Sequence, residues 1–131
     1  MATIDKEAIV RRMLDDYLRG DFEQALSAFA EDVEWRDQFG IYHGREGVAQ
    51  SVSKWAGTWD EFRMEVAEVL DAGGQHLLVI LRQSGRGRGS GVPVEGDMPW
   101  MYCVRGGEIV SVRLLADPEQ ALKAARAQAE Q

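Results

Sequence analysis

The sequence predicts an α+β fold: three helices in the N-terminal half close one side of a strongly curved antiparallel sheet around an apolar pocket, with a further helix at the C-terminus. Two changes of pattern along the 131 residues carry this expectation. Apolar residues recur at helical spacing through much of the first 60 positions. Alternation of period two then takes over, broken by glycine-rich stretches suited to hairpins.

Ile9, Met13 and Tyr17, with Val10, Leu14 and Leu18, form an apolar stripe between charged residues, which predicts an amphipathic helix over residues 4–19. Gly20 ends it. Asp21 is placed to cap a second, shorter helix whose third position is Gln24 and whose buried stripe is Ala25, Leu26 and Phe29. From Val33 the period becomes two, so Val33, Trp35 and Asp37 share one face of a short strand. Gln38 to Gly44 reads as a turn. Val48, Val52, Trp55 and Trp59 then return to helical spacing and predict the third helix.

Four strands are expected next, over residues 61–72, 76–84, 92–104 and 108–116. Their breaks are Gly73-Gly74, the glycine and arginine stretch from Gly85 to Gly91, and Gly106-Gly107. Short connections between consecutive strands imply an antiparallel meander. Asp117-Pro118 reads as an N-cap followed by proline at the first helical position, starting a C-terminal helix that reaches about Ala127. With no internal repeat and no boundary, residues 1–131 are expected to form one domain.

Fifteen basic against 22 acidic residues give a formal charge of −7, which disfavours nucleic acid and anionic membranes as general partners. The single cysteine, Cys103, lies in an apolar run and reads as a buried structural thiol in a reducing compartment. Charged residues through the first 20 positions leave no signal-peptide core, and no 18-residue apolar run follows. A cytoplasmic location is therefore expected.

The element order resembles that of the nuclear transport factor 2-like superfamily, and particular segments are similar to its SnoaL-like branch. These are Phe29 to Trp35 with Asp37, then Tyr42 to Val48, then Gly107 to Val110 with Arg113 and Asp117. The resemblance spans about residues 5–125. It implies a cone-shaped sheet with helices over its mouth, a pocket inside, and homodimerisation through the outer sheet face. No single activity is implied, since the superfamily holds isomerases, dehydratases, polyketide cyclases, epoxide hydrolases and non-catalytic binders.

Asp37 is the leading catalytic candidate, because the steroid isomerase branch keeps its proton-abstracting aspartate at the corresponding place after the first strand. A carboxylate beside Trp35 in an apolar cavity has its charged form disfavoured, which suits a general base next to a carbonyl. The competing reading is that Asp37 caps the turn at Gln38 to Gly40 or pairs with an arginine. The isomerase branch also needs oxyanion donors, a tyrosine and a protonated aspartic acid. Aligned on Gly20-Asp21, those places hold Met13 and the vicinity of Pro99 and Trp100, so both donors are missing. Tyr17, one turn beyond Met13 on the same helix face, can substitute; the competing reading is a core tyrosine with its hydroxyl satisfied.

Arg113 fits the arginine of the epoxide hydrolase branch, but Leu114 follows where that branch has a carboxylate. The cyclase branch relies on a carboxylate or histidine in an apolar pocket, which Asp37 and His43 can supply. His43 and His76 stand without a ligand-spacing pattern, so no metal and no cofactor are expected. Arg86-Gly87-Arg88-Gly89 lacks the lysine and the strand-to-helix transition of a phosphate loop and reads as a bulged strand end. Trp35, Trp55, Trp59 and Trp100, with Tyr17, Tyr42, Met13 and Met98, are candidate pocket walls for a flat apolar ligand. The sequence thus supports an acid/base enzyme of isomerase or cyclase type acting on a hydrophobic small molecule. A non-catalytic binder using the same cone is the alternative.

Overall fold

A computed structural model describes residues 5–129; the expected start of the first helix at residue 4 lies outside the described residues. Asp5 accepts a hydrogen bond from the Glu7 backbone N–H and opens α1 (Lys6–Leu18), whose buried face carries Val10, Met13 and Leu14. Gly20, at φ 88°, supplies the left-handed turn that ends it. Asp21 then accepts from the Gln24 N–H at 3.2 Å and caps the five-residue α2 (Phe22–Leu26).

Strand β1 (Phe29–Asp37) begins four residues earlier than the alternation suggests, because Phe29 and Ala30 are also buried against the sheet. The stretch read as a turn contains a second strand, β2 (Gly40–His43), and only Gln38 and Phe39 turn the hairpin between the paired residues Asp37 and Gly40. Helix α3 (Gly44–Ala56) follows and ends at Gly57. Trp59 therefore does not belong to the third helix; it is the first residue of β3 (Trp59–Asp71). Its helical spacing from Trp55 is accidental, although the two rings do meet at 5.2 Å between centroids.

The meander continues through β4 (His76–Gly87), β5 (Pro93–Arg105) and β6 (Glu108–Leu114). Arg105 pairs with Glu108 across Gly106 and Gly107, both at positive φ (60° and 83°), a two-residue hairpin that β-branched residues would strain. The arginines of the glycine-rich strand end are exposed and ion-paired, Arg86 with Glu61 and Arg88 with Asp60.

The sheet order is β2-β1-β6-β5-β4-β3, and the sheet is curved, open and mixed. The expectation of a purely antiparallel sheet fails at one pair: β1 and β6 run parallel, with Trp35 opposite Val112. The cause is topological. After the β1–β2 hairpin the chain crosses through α3 to the far edge, and the four-strand meander returns with β6 running in the direction of β1.

Helices pack against both faces of the sheet, on the convex face over part of it only. On the concave face α1, α2 and α3 bury Val33, Trp35, Leu77, Val79, Leu81, Trp100, Tyr102 and Val112. Asp117 caps α4 (Pro118–Ala129) by accepting from the Glu119 and Gln120 N–H groups, and α4 lays Ala121 and Ala125 on Leu78 and Ile80 of the convex face. Cys103 is buried. Among the described residues, no helix is long and apolar enough to cross a membrane.

Candidate functional site

Strand parity decides which side chains reach the space between helices and sheet. On β4, Leu77, Val79, Leu81 and Gln83 point to the concave side, and on β5 Met98, Trp100 and Tyr102 do the same. Helix α3 contributes Val48, Ser51, Val52 and Trp55, spaced three and four residues apart on one face. Met13, Leu14 and Tyr17 of α1, Phe22 and Ala25 of α2, Phe29, Trp35 and Asp37 of β1, Gln38 of the hairpin turn and Met64 of β3 complete the walls.

The cavity between these walls has a volume of about 80 Å³. A wider groove of about 880 Å³ shares Tyr17, Phe22, Val52 and Met64 with it, and has Arg63, Glu65, Arg82 and Glu95 along its sides. A charged approach thus adjoins an apolar interior.

Asp37 is the one charged side chain lining the inner cavity among the described residues. Its carboxylate is held by three donors: the Phe39 N–H to Oδ1 at 2.8 Å, the Trp35 Nε1–H to Oδ2 at 3.0 Å, and the Ser51 hydroxyl to Oδ2. The two sequence readings of Asp37 are therefore compatible, because Oδ1 organises the turn while the group as a whole faces the cavity. A carboxylate offers about four acceptor directions, so roughly one is left for a ligand.

Two phenols face the same space. Burial pushes the Tyr17 hydroxyl above its usual range, and burial followed by the nearby Tyr17 pushes Tyr102 further up. Both remain neutral O–H groups at any physiological pH, able to donate but not to act as bases.

Seven of the residues singled out in the sequence meet at this cavity: Met13, Tyr17, Trp35, Asp37, Trp55, Met98 and Trp100. Four others do not line it. His43 is exposed at the N-terminus of α3, because Tyr42 takes the inward position of the edge strand β2. Tyr42 itself packs beneath α3, where a side chain at Gly47 would press on its Cβ at 3.0 Å. Trp59 lies in edge contact with Trp55. Arg113 is exposed, because its neighbour Val112 holds the inward position on β6. Sequence reading missed Ser51 and Gln83, both of which alternation or helical spacing already placed on inward faces. Among the described residues, no group of three His, Cys, Asp or Glu side chains is close enough to hold a metal ion.

This arrangement of helices over a curved sheet is the nuclear transport factor 2-like fold. An NTF2-like protein from Burkholderia thailandensis superposes with a TM-score of 0.78 at 22% identity, covering 95% of this chain and 98% of that one. A SnoaL-like polyketide cyclase, so described provisionally, from Jannaschia sp. CCS1 gives 0.76 at 15% identity, covering 97% and 96%. TerC, crystallised with polyporic acid, gives 0.73 at 16% identity, covering 92% and 98%. At these identities the likeness shows the fold alone. The model of the SnoaL-like domain family matches residues 10–112, and the chain belongs to that family. No curated protein matches it.

Proposed function

We propose that the chain is an acid/base enzyme of isomerase or cyclase type, with Asp37 as general base and an apolar, carbonyl-bearing small molecule as substrate. The observation that carries this reading is the solitary charge: among the described residues, one carboxylate lines a cavity otherwise walled by apolar and neutral polar side chains. Asp37 would take a proton from the carbon beside the carbonyl, and the released electron pair would pass to the carbonyl oxygen as an enolate. Returning the proton at another carbon completes an isomerisation; alternatively the enolate carbon attacks a second carbonyl carbon, whose C=O π bond opens to an alkoxide, and the alkoxide takes the proton back from Asp37 as the ring closes.

Two fold neighbours agree with a small-molecule ligand, one being crystallised with polyporic acid and one bearing the polyketide cyclase description. His43 has no part in this reading, being exposed and outside the cavity wall. The alternative of a non-catalytic binder draws on one observation, the three donors that already engage the Asp37 carboxylate.

A tryptophan-fluorescence titration with steroids, polyketide-like aromatics and terpenoids, run on wild type and Asp37→Asn, is the test. Saturable binding in both proteins with turnover only in wild type supports the enzyme. Equal turnover in both would rule out Asp37 as the base. Binding without turnover in either would leave the binder.

A further inference from the structure

Two polar groups in the cavity wall are buried without a hydrogen-bond partner: the Trp100 Nε1–H and the Gln83 Oε1. Both residues are 7% exposed, and both line the cavity. A buried donor or acceptor without a partner is costly, so a fold that keeps one of each on residues lining the same cavity gains from anything that supplies their partners.

Trp35 differs from Trp100 in this respect. Its ring lies 5.1 Å from that of Trp100, yet its N–H is committed to Asp37 at 3.0 Å. Of this tryptophan pair only Trp100 has a donor left for a ligand, and it sits beside the ring that is tied to the carboxylate. Trp100 pairs with Val79 across the sheet, whereas Gln83 pairs with Gly96. The two backbone positions are thus four residues apart along β4, roughly 13 Å at about 3.3 Å per residue. Leu81 and Met98 form the apolar pair between them. A side chain at Gly96, the cross-strand partner of Gln83, would meet nothing within 4 Å.

We infer that Trp100 and Gln83 read the two ends of the ligand: the indole N–H donates to a carbonyl oxygen near Asp37, and the carboxamide oxygen accepts from a hydroxyl at the far end. The ligand class is a flat hydroxy-ketone of about two fused rings, its body lying on Leu81 and Met98. This assignment rests on the proposed role of the cavity as the ligand site. It also places an electrophilic partner on the strand where the isomerase donor is missing, because a donor to the carbonyl oxygen stabilises the charge that forms when Asp37 removes a proton.

Calorimetric titration with 6-hydroxy-1-tetralone, 1-tetralone and tetralin tests it. Wild type should prefer the two ketones to the hydrocarbon, and the hydroxy-ketone to the plain ketone. Trp100→Phe, which keeps a ring against Trp35, should weaken both ketones about 3- to 10-fold and leave tetralin unchanged. Gln83→Leu should abolish only the preference for the hydroxyl. In wild-type protein, the indole N–H resonance identified by its absence from Trp100→Phe should move on adding 1-tetralone and stay in place with tetralin. Equal weakening of all three compounds, no ketone preference in wild type, or an unmoved indole resonance would overturn the assignment. Asp37 is judged separately by turnover: ketone reading lost with Asp37-dependent turnover intact removes Trp100 alone, and the reverse result removes Asp37 alone.

Discussion

Replacing Ser51 with alanine isolates the hydrogen bond that ties α3 to the Asp37 carboxylate. Ser51 is 2% exposed and its hydroxyl donates to Oδ2, while Trp35 and Phe39 supply the other two donors. A hydrogen bond to a charged group contributes about 1.5–3 kcal/mol, and alanine returns up to about 0.5 kcal/mol through its better helix propensity. The net loss should be about 1–2.5 kcal/mol, which for a domain of this size lowers Tm by roughly 3–5 °C per kcal/mol. Urea denaturation followed by tryptophan fluorescence at pH 7 measures it directly. The same substitution in an Asp37→Ala background should cost under about 0.5 kcal/mol, because the acceptor is gone. Equal losses in both backgrounds would show that Ser51 acts through packing and that the carboxylate is not held from α3.

The outer face of the sheet should matter to stability as much as the cavity face does. Leu78→Ala, at a fully buried position beneath α4, should cost about 2–5 kcal/mol in the same urea assay and leave ligand binding unchanged. Alkaline pH should weaken the fold. Tyr17 and Tyr102 hold their protons to higher pH when folded than the ordinary value of 10.0, so the unfolded chain loses protons first. Their contribution is complete below pH 10 and is lost as pH rises beyond it. The urea midpoint should fall between pH 9 and about pH 11, and Tyr102→Phe should flatten that fall.

Much of the scaffold was legible because it is written in local chemistry. Asp21 and Asp117 announce helix starts through their own side-chain bonds, and Gly20 and Gly106-Gly107 mark backbone turns that other residues resist. The parallel β1–β6 pair was not legible, since alternation reports which face a residue takes and says nothing about which strand lies beside it. Trp59 misled for a related reason: helical spacing persists by chance across Gly57 and Thr58, which end the helix. In the cavity, size and aromaticity made the tryptophans visible, and the family resemblance together with the strand face shared with Trp35 singled out Asp37. Ser51 and Gln83 were overlooked because a lone polar residue on an apolar face looks like noise until its partners, or their absence, are known.

If Asp37 removes a proton from carbon in this cavity, hydrogen–deuterium exchange reads that step without any knowledge of the natural substrate. The protein would be incubated with saturating 1-tetralone in D₂O at neutral pH, with loss of the protons beside the carbonyl followed by NMR. Wild type should exchange them well above the buffer rate, and Asp37→Asn should lose about 10²- to 10⁴-fold of that acceleration while still binding the ketone. Exchange at the buffer rate in wild type, or at the same rate in both proteins, would rule out Asp37 as the base and leave the cavity as a binding site alone.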